Sequence, residues 1–218
     1  MKSFKFNKND SVRIIVITLF ISLSLNVYNS VLNSKYKILL GRETYNSLLE
    51  LRTKNESSSN ILNTCIKAKS INNQELFTLY KNFSSIHKEF NSLWLKYKTY
   101  KEEKPITIGK RESVVSETSS DVYKRIENLL YEYMNYQMNN DNEFLILGGS
   151  DFNNFRAIES LTRELNDYFI DFDSKNYKDL DEEKKRLVSI KEKHWVRSLK
   201  EINSLLEPYL NHEFIIKE

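Results

Sequence analysis

A single cysteine, Cys65, rules out an internal disulfide. Four glycines and two prolines in 218 residues are too few turn-formers for a β-sandwich or barrel. With 29% charged and 12% aromatic residues, the chain is also unlike a disordered one. An all-α fold is expected. Alanine occurs only at Ala68 and Ala157, while asparagine and lysine number 24 each, a bias that A/T-rich codons produce and that says nothing about function.

Metal-binding spacings are missing as well. The three histidines, His87, His194 and His212, are preceded at three residues by Ser84, Lys191 and Tyr209, so the Glu-x-x-His pairs that hold metals inside helical bundles are absent. There is no His-Glu-x-x-His, no paired cysteine spacing and no acidic calcium loop. No metal and no cofactor are therefore expected. Gly148-Gly149 follows an apolar run but lacks the Gly-Lys-Ser/Thr ending of a phosphate loop, and it is expected to be a turn. His194 beside Trp195 suits a packed histidine better than a proton-transfer site, and Cys65 suits a small buried hydrophobe better than a nucleophile. With no paired catalytic groups, the chain is not expected to be an enzyme.

The charge excess is confined to one place. Lys2, Lys5, Lys8 and Arg13 against Asp10 give the first 13 residues their whole +3, and 29 basic and 29 acidic residues balance in the remainder. A neutral body has no basic footprint for nucleic acid, so no nucleic-acid partner is expected.

Directly after that tail comes the one long apolar stretch. Ile14 to Ser34 is free of charge over 21 residues, enough for a helix to cross the ~30 Å hydrocarbon core of a bilayer. Its second half tapers through Asn26, Tyr28, Asn29 and Asn33, residues suited to the headgroup region. A cleaved secretory signal shares this layout, but the small-x-small pair Ser22 and Ser24 lies inside the apolar run, and later options place Tyr28 or Asn29 near the cut. A core helix would need partners all round it. The segment is expected to be an uncleaved anchor, with residues 1–13 a basic cytoplasmic tail, 14–34 the span, 35–71 a helical stalk or first bundle helix, and 72–218 the bundle. Lys35, Lys37, Arg42, Arg52 and Lys54 come after the span, so the charges on the two flanks nearly balance. Arg13 directly against the apolar run favours a cytoplasmic N-terminus and an extracytoplasmic body.

Within the body, four heptads stand out. Leu76, Phe83, Phe90 and Tyr97 repeat every seven residues, Leu79, Ile86, Leu93 and Tyr100 come three residues after each, and Tyr80 and Trp94 widen the stripe. A helix over 73–101 facing more than one neighbour is predicted, and phenylalanine at repeated positions favours a bundle over a two-stranded coil. A weaker pattern at Leu39, Leu48, Leu51, Leu62, Cys65 and Ile66 is interrupted at "NESSSN", residues 55–60. Pro105, Gly109 and a Ser/Thr/Val mixture predict a loop at about 103–120.

A helix capped by Ser119 or Ser120 then carries Val122, Ile126, Leu129, Tyr133 and Tyr136. "FLILGG", residues 144–149, reads as an extended cover for the bundle end. Two further helices carry Ile158, Leu161, Leu165, Tyr168 and Phe172, and then Leu187, Val188, Trp195, Leu199, Ile202, Leu206 and Tyr209. The expected architecture is an N-terminal transmembrane helix followed by an antiparallel bundle of about four to five helices.

One segment combines residue types suited to protein contact: in "YEYMNYQMNNDN", residues 131–142, Tyr131, Met134, Gln137 and Met138 form a candidate interaction surface. The expected function is a membrane-anchored helical interaction module, a subunit or accessory factor of a cell-envelope complex, whose partners are the lipid bilayer and another protein or further copies of itself. The alternatives are an extracytoplasmic ligand-sensing bundle acting through a partner, and a secreted helical protein with a cleaved signal.

Overall fold

A computed structural model describes residues 8–102 and 119–214. The structure is mostly helical. Helix α1 spans Lys8–Ala68, strand β1 Ser70–Asn72, helix α2 Asn73–Glu102 and helix α3 Ser120–Asn140. Strand β2 spans Phe144–Ile146, followed by α4 (Gly149–Asn176), α5 (Glu182–Glu192), α6 (His194–Leu206) and a 3-10 turn at Glu207–Tyr209 that holds Pro208.

The 61 residues of α1 form one rod about 90 Å long at 1.5 Å per residue. Its apolar first half is bare, with every large hydrophobic side chain from Ile14 to Leu32 exposed. Its second half is the first helix of the bundle. The interruption expected at residues 55–60 does not occur, because Asn55 and Ser58 are themselves core positions. Asn55 Nδ2 donates to the Thr162 carbonyl at 2.8 Å and to Asn166 Oδ1 at 2.6 Å, and the Ser58 hydroxyl donates to the Lys54 carbonyl at 2.8 Å. With the Asn55 amide nitrogen and the Ser58 hydroxyl partnered in this way, and only Asn55 Oδ1 left without a partner among the described residues, these polar residues are buried without breaking the helix.

The heptad stripe of α2 faces the core, as its spacing predicts. Leu76, Leu79, Phe83, Ile86, Phe90, Leu93 and Tyr97 are all buried, and Tyr80, Trp94 and Tyr100 pack partly buried beside them. The start of the helix is fixed by a reciprocal cap: Glu75 N–H donates to Asn72 Oδ1 at 2.8 Å and Asn72 N–H to Glu75 Oε2 at 3.4 Å. Helix α2 returns antiparallel to α1, with Asn82 donating to Ser57 and Lys96 pairing with Glu43. Helix α3 then runs antiparallel to α2, as the Phe90–Tyr123 and Tyr80–Tyr131 ring contacts require. On the other side of α1, α4 packs through Asn55–Thr162 and the Arg52–Asp173 ion pair.

Several local expectations need correcting. Neither serine caps α3: Ser119 has helical φ and ψ and makes no side-chain cap bond, and the Ser120 hydroxyl turns instead to Asn91 Oδ1. Tyr136, placed on the buried face of α3 by its spacing, is exposed, and Leu187 is exposed on α5. The last helix is two helices, because Lys193 adopts a left-handed φ of 53° between α5 and α6. That turn brings Trp195 against the rings of Tyr97 and Tyr100. The predicted loop at 103–120 lies almost wholly outside the described residues.

The "FLILGG" segment is extended, and it pairs with a strand that the sequence did not signal. Antiparallel register sets Ser70 against Ile146, Ile71 against Leu145 and Asn72 against Phe144. Alternation sends Ile71 and Leu145 into the core and leaves Phe144 and Ile146 outside. This ribbon closes the end of the bundle far from the apolar half of α1.

Candidate functional site

The candidate surface on α3 divides by helical face. Tyr131 and Met138, seven residues apart, are exposed, Met138 to 77%. Met134, between them, is half-buried against the core. Gln137 points inward and is only 2% exposed, with Nε2 donating to Asn73 Oδ1 at 3.4 Å. Its role there is to join the end of α3 to the start of α2. The Tyr131 ring lies 5.9 Å from that of Tyr80, so the exposed face of α3 continues onto α2, where Phe77 is exposed one turn away.

Position along the molecule adds what the α3 sequence alone does not show. Beyond residue 40, the exposed large hydrophobics among the described residues are Leu49, Phe77, Leu95, Tyr131, Tyr136, Met138, Phe144, Ile146, Ile170 and Leu187. Six of these ten belong to the far end, on the first turns of α2, the last turns of α3 and the outer face of β2. Ile146 is 70% exposed, which a ribbon facing only water does not require. Phe144 and Ile146 are the residues that sequence reasoning missed. The short apolar run in "FLILGG" was the available signal, but with all four residues from Phe144 to Leu147 apolar it did not show which face would turn outward without β1.

A second feature is a cavity of about 330 Å³ between α1, α4, α5 and α6. Leu48, Phe169 and Phe172 supply its apolar wall, and Tyr45, Arg52 and Lys185 its polar mouth. The charges are mutually engaged: Arg52 pairs with Asp173, Lys185 Nζ donates to Glu182 Oε1 at 2.6 Å, and the Tyr45 hydroxyl donates to Glu182 Oε2 at 3.4 Å. Burial and the Glu182 carboxylate together push the Tyr45 phenol above its ordinary range. These groups act as internal ties between α1 and the α4–α5 corner.

Cys65, His87 and His194, singled out in the sequence, each pack or pair within the bundle. Cys65 is buried and its thiol is pushed up to about 12 by desolvation, then by Glu75, which leaves almost no thiolate at neutral pH. His87 Nδ1 pairs with Glu127 Oε2 at 2.8 Å and ties α2 to α3. His194 shares a 2.9 Å hydrogen bond with the Tyr177 hydroxyl, and burial lowers its pKa from the ordinary 6.5. Among the described residues, no three His, Cys, Asp or Glu side chains come together as a metal site. Arg125 has a role that no motif announced: its guanidinium donates to the carbonyls of Tyr209, Leu210 and His212 at 3.0, 2.9 and 2.7 Å, clamping the chain after α6 onto α3.

Comparison with protein-family models, curated proteins and solved structures gave no match, so function is read from the geometry alone.

Proposed function

We propose that this protein is a membrane-anchored helical interaction module, an accessory subunit that holds the far end of its bundle out to another envelope protein or to a further copy of itself. The observation that carries this is the placement of exposed apolar side chains. One set is the bare run from Ile14 to Leu32, long and apolar enough to cross a membrane. The other crowns the opposite end of the same rod-based bundle, at Phe77, Tyr131, Met138, Phe144 and Ile146. Between them the second half of α1 is a rigid spacer of about 50 Å, from Ser34 to Ala68. A bilayer satisfies the first set, and a protein surface rich in aromatic and methionine side chains is what the second set suits. In this reading Arg13, directly against the apolar run, favours a cytoplasmic N-terminus and a bundle outside.

Photo-crosslinking side chains introduced at Tyr131 and at Met138, in cells making the full chain, test this. Protein adducts at both positions are expected, with few at Leu187, an exposed residue at the other end of the bundle. Adducts at Leu187 and none at the far end would sink the proposal.

A second proposal, an extracytoplasmic ligand-sensing bundle, draws on the cavity mouth at Tyr45, Arg52 and Lys185. It ranks lower because the cavity's charges already pair with one another.

A further inference from the structure

The neutral body hides an uneven distribution of charge along the bundle. At its near end, α2, α5 and α6 come down beside the first turns of α1 beyond the apolar run. Asn33, Ser34, Tyr36 and Lys37 share a cleft of about 250 Å³ with Tyr100, Lys191, Lys193 and Trp195. The fit is close: a β-carbon at Gly41 would lie 2.6 Å from Ile190 Cγ2, so glycine is what lets α5 seat against α1 at this level. Lys193 is fixed here by its left-handed backbone and by its ammonium, which donates to the Tyr100 hydroxyl at 3.1 Å.

Lys37, Lys191 and Lys193 line this cleft, and Lys35 on α1 and Lys98 and Lys101 on α2 lie within two residues of its lining residues Ser34, Tyr36 and Tyr100. Arg42 adds a seventh cation, against Glu43 and Glu192, and Glu43 is engaged at 3.3 Å by Lys96. None of Lys35, Lys37, Lys98, Lys101 or Lys191 has an ion-pair partner among the described residues. The far end is close to neutral, with Glu75, Glu132, Asp141, Glu143 and Asp151 against Lys67, Lys69, Lys81 and Arg156.

We infer that the near end of the bundle is a lipid-docking collar, in which these lysines bind the phosphates of anionic headgroups while Tyr36 and Tyr100 lie at the edge of the bilayer. The inference rests on the proposed anchor, because it is the anchor that brings the collar to the surface. Two independent features then select an anionic lipid surface as the occupant. Charge is complementary over a distance shorter than a Debye length, since Lys191 and Lys193 share a cleft with the last residues of the uncharged run. Aromatic and basic side chains also stand together, as they do at membrane interfaces. Binding of this kind fixes the tilt of the bundle and so aims its far end.

The test uses the full chain reconstituted into vesicles of phosphatidylcholine alone or of phosphatidylcholine with phosphatidylglycerol, with no other protein present. Backbone hydrogen exchange over residues 185–197 is the readout. Exchange is expected to be slower in the anionic vesicles by at least about fivefold, the effect of one engaged lysine, and the difference should shrink in high salt. Lys37→Gln, Lys101→Gln and Lys191→Gln together should reduce the difference, and the corresponding three arginine substitutions should keep it; an undiminished difference in the glutamine variant would also overturn the collar. Equal exchange in the two vesicle types, with the protein firmly incorporated in both, would overturn the collar and leave the anchor standing. Failure to incorporate into either would overturn the anchor, and the collar with it.

Discussion

The two halves of α1 invert the usual relation between side chain and environment. From Ile14 to Leu32 its hydrophobic residues are bare, whereas between Gly41 and Cys65 it buries Thr44, Ser47, Asn55 and Ser58 along with Leu51 and Leu62. Length and helicity are common to both halves, so the difference lies in what surrounds them. The second half has α2 and α4 to pack on, and its small and amide side chains allow close approach while finding carbonyl or side-chain partners. The first half packs on nothing else among the described residues, and it is long and apolar enough to cross a membrane.

Charge placed in the first half should break this comparison most strongly. Leu19→Arg with Leu23→Arg puts two guanidinium groups near the centre of the apolar run, at a cost of about 2.5–3.5 kcal/mol each in a bilayer. Loss of the protein from the membrane fraction is expected, with the bundle's thermal midpoint unchanged once it is solubilised. A fall in that midpoint would mean that the first half packs on protein after all.

A smaller effect is expected from the buried polar half. Asn55→Ala removes the donor shared by the Thr162 carbonyl and Asn166 and leaves a small void between α1 and α4. Destabilisation of about 1–3 kcal/mol, read by chemical denaturation, is expected, with membrane association unaffected. If stability did not change, Asn55 would be a tolerated passenger, and the contact between α1 and α4 would rest on apolar packing and the Arg52–Asp173 ion pair.

The same contrast explains what the sequence made legible. Both α2 and the second half of α1 bury a seven-residue repeat. In α2 every position is apolar or aromatic, and the stripe was plain. In α1 the repeat is Gly41, Leu48, Asn55, Leu62 with Thr44, Leu51, Ser58, Cys65, so half of it is glycine or polar, and hydrophobicity alone suggested an interruption. Strand β1 has three residues and exists only because β2 pairs with it, which no local pattern announces. The α5–α6 turn is made by a lysine in a glycine-like conformation, so the usual punctuation was absent. Of the candidate surface, the exposed aromatic and methionine character of Tyr131 and Met138 was readable. The inward turn of Gln137 depended on where Asn73 would stand.

The smallest effect concerns the corner that joins the two halves. His194 opens α6 beside the α5–α6 turn, with its ring 5.3 Å from that of Phe172 and bonded to the Tyr177 hydroxyl. Burial is the leading cause that holds its imidazole below 6.5; Glu192 opposes this and Arg197 adds to it. The unfolded chain therefore takes up a proton at this site at higher pH than the folded one does. The stability contributed by neutral His194 is complete above about 6.5 and is lost as pH falls from there through the lower folded value. Carboxylates titrate lower still, so the wild type and His194→Asn, whose amide keeps a partner for Tyr177, should be compared at about pH 7.5 and about pH 5.5, on either side of the imidazole's ordinary value. The melting midpoint of the wild type is expected to drop more over this interval than that of the variant. Parallel drops would show that the corner carries no burden from this histidine, and that α5 and α6 are held at the base of the bundle by their other contacts, among them Gly41–Ile190 packing, Trp195 and the Tyr45–Glu182 hydrogen bond.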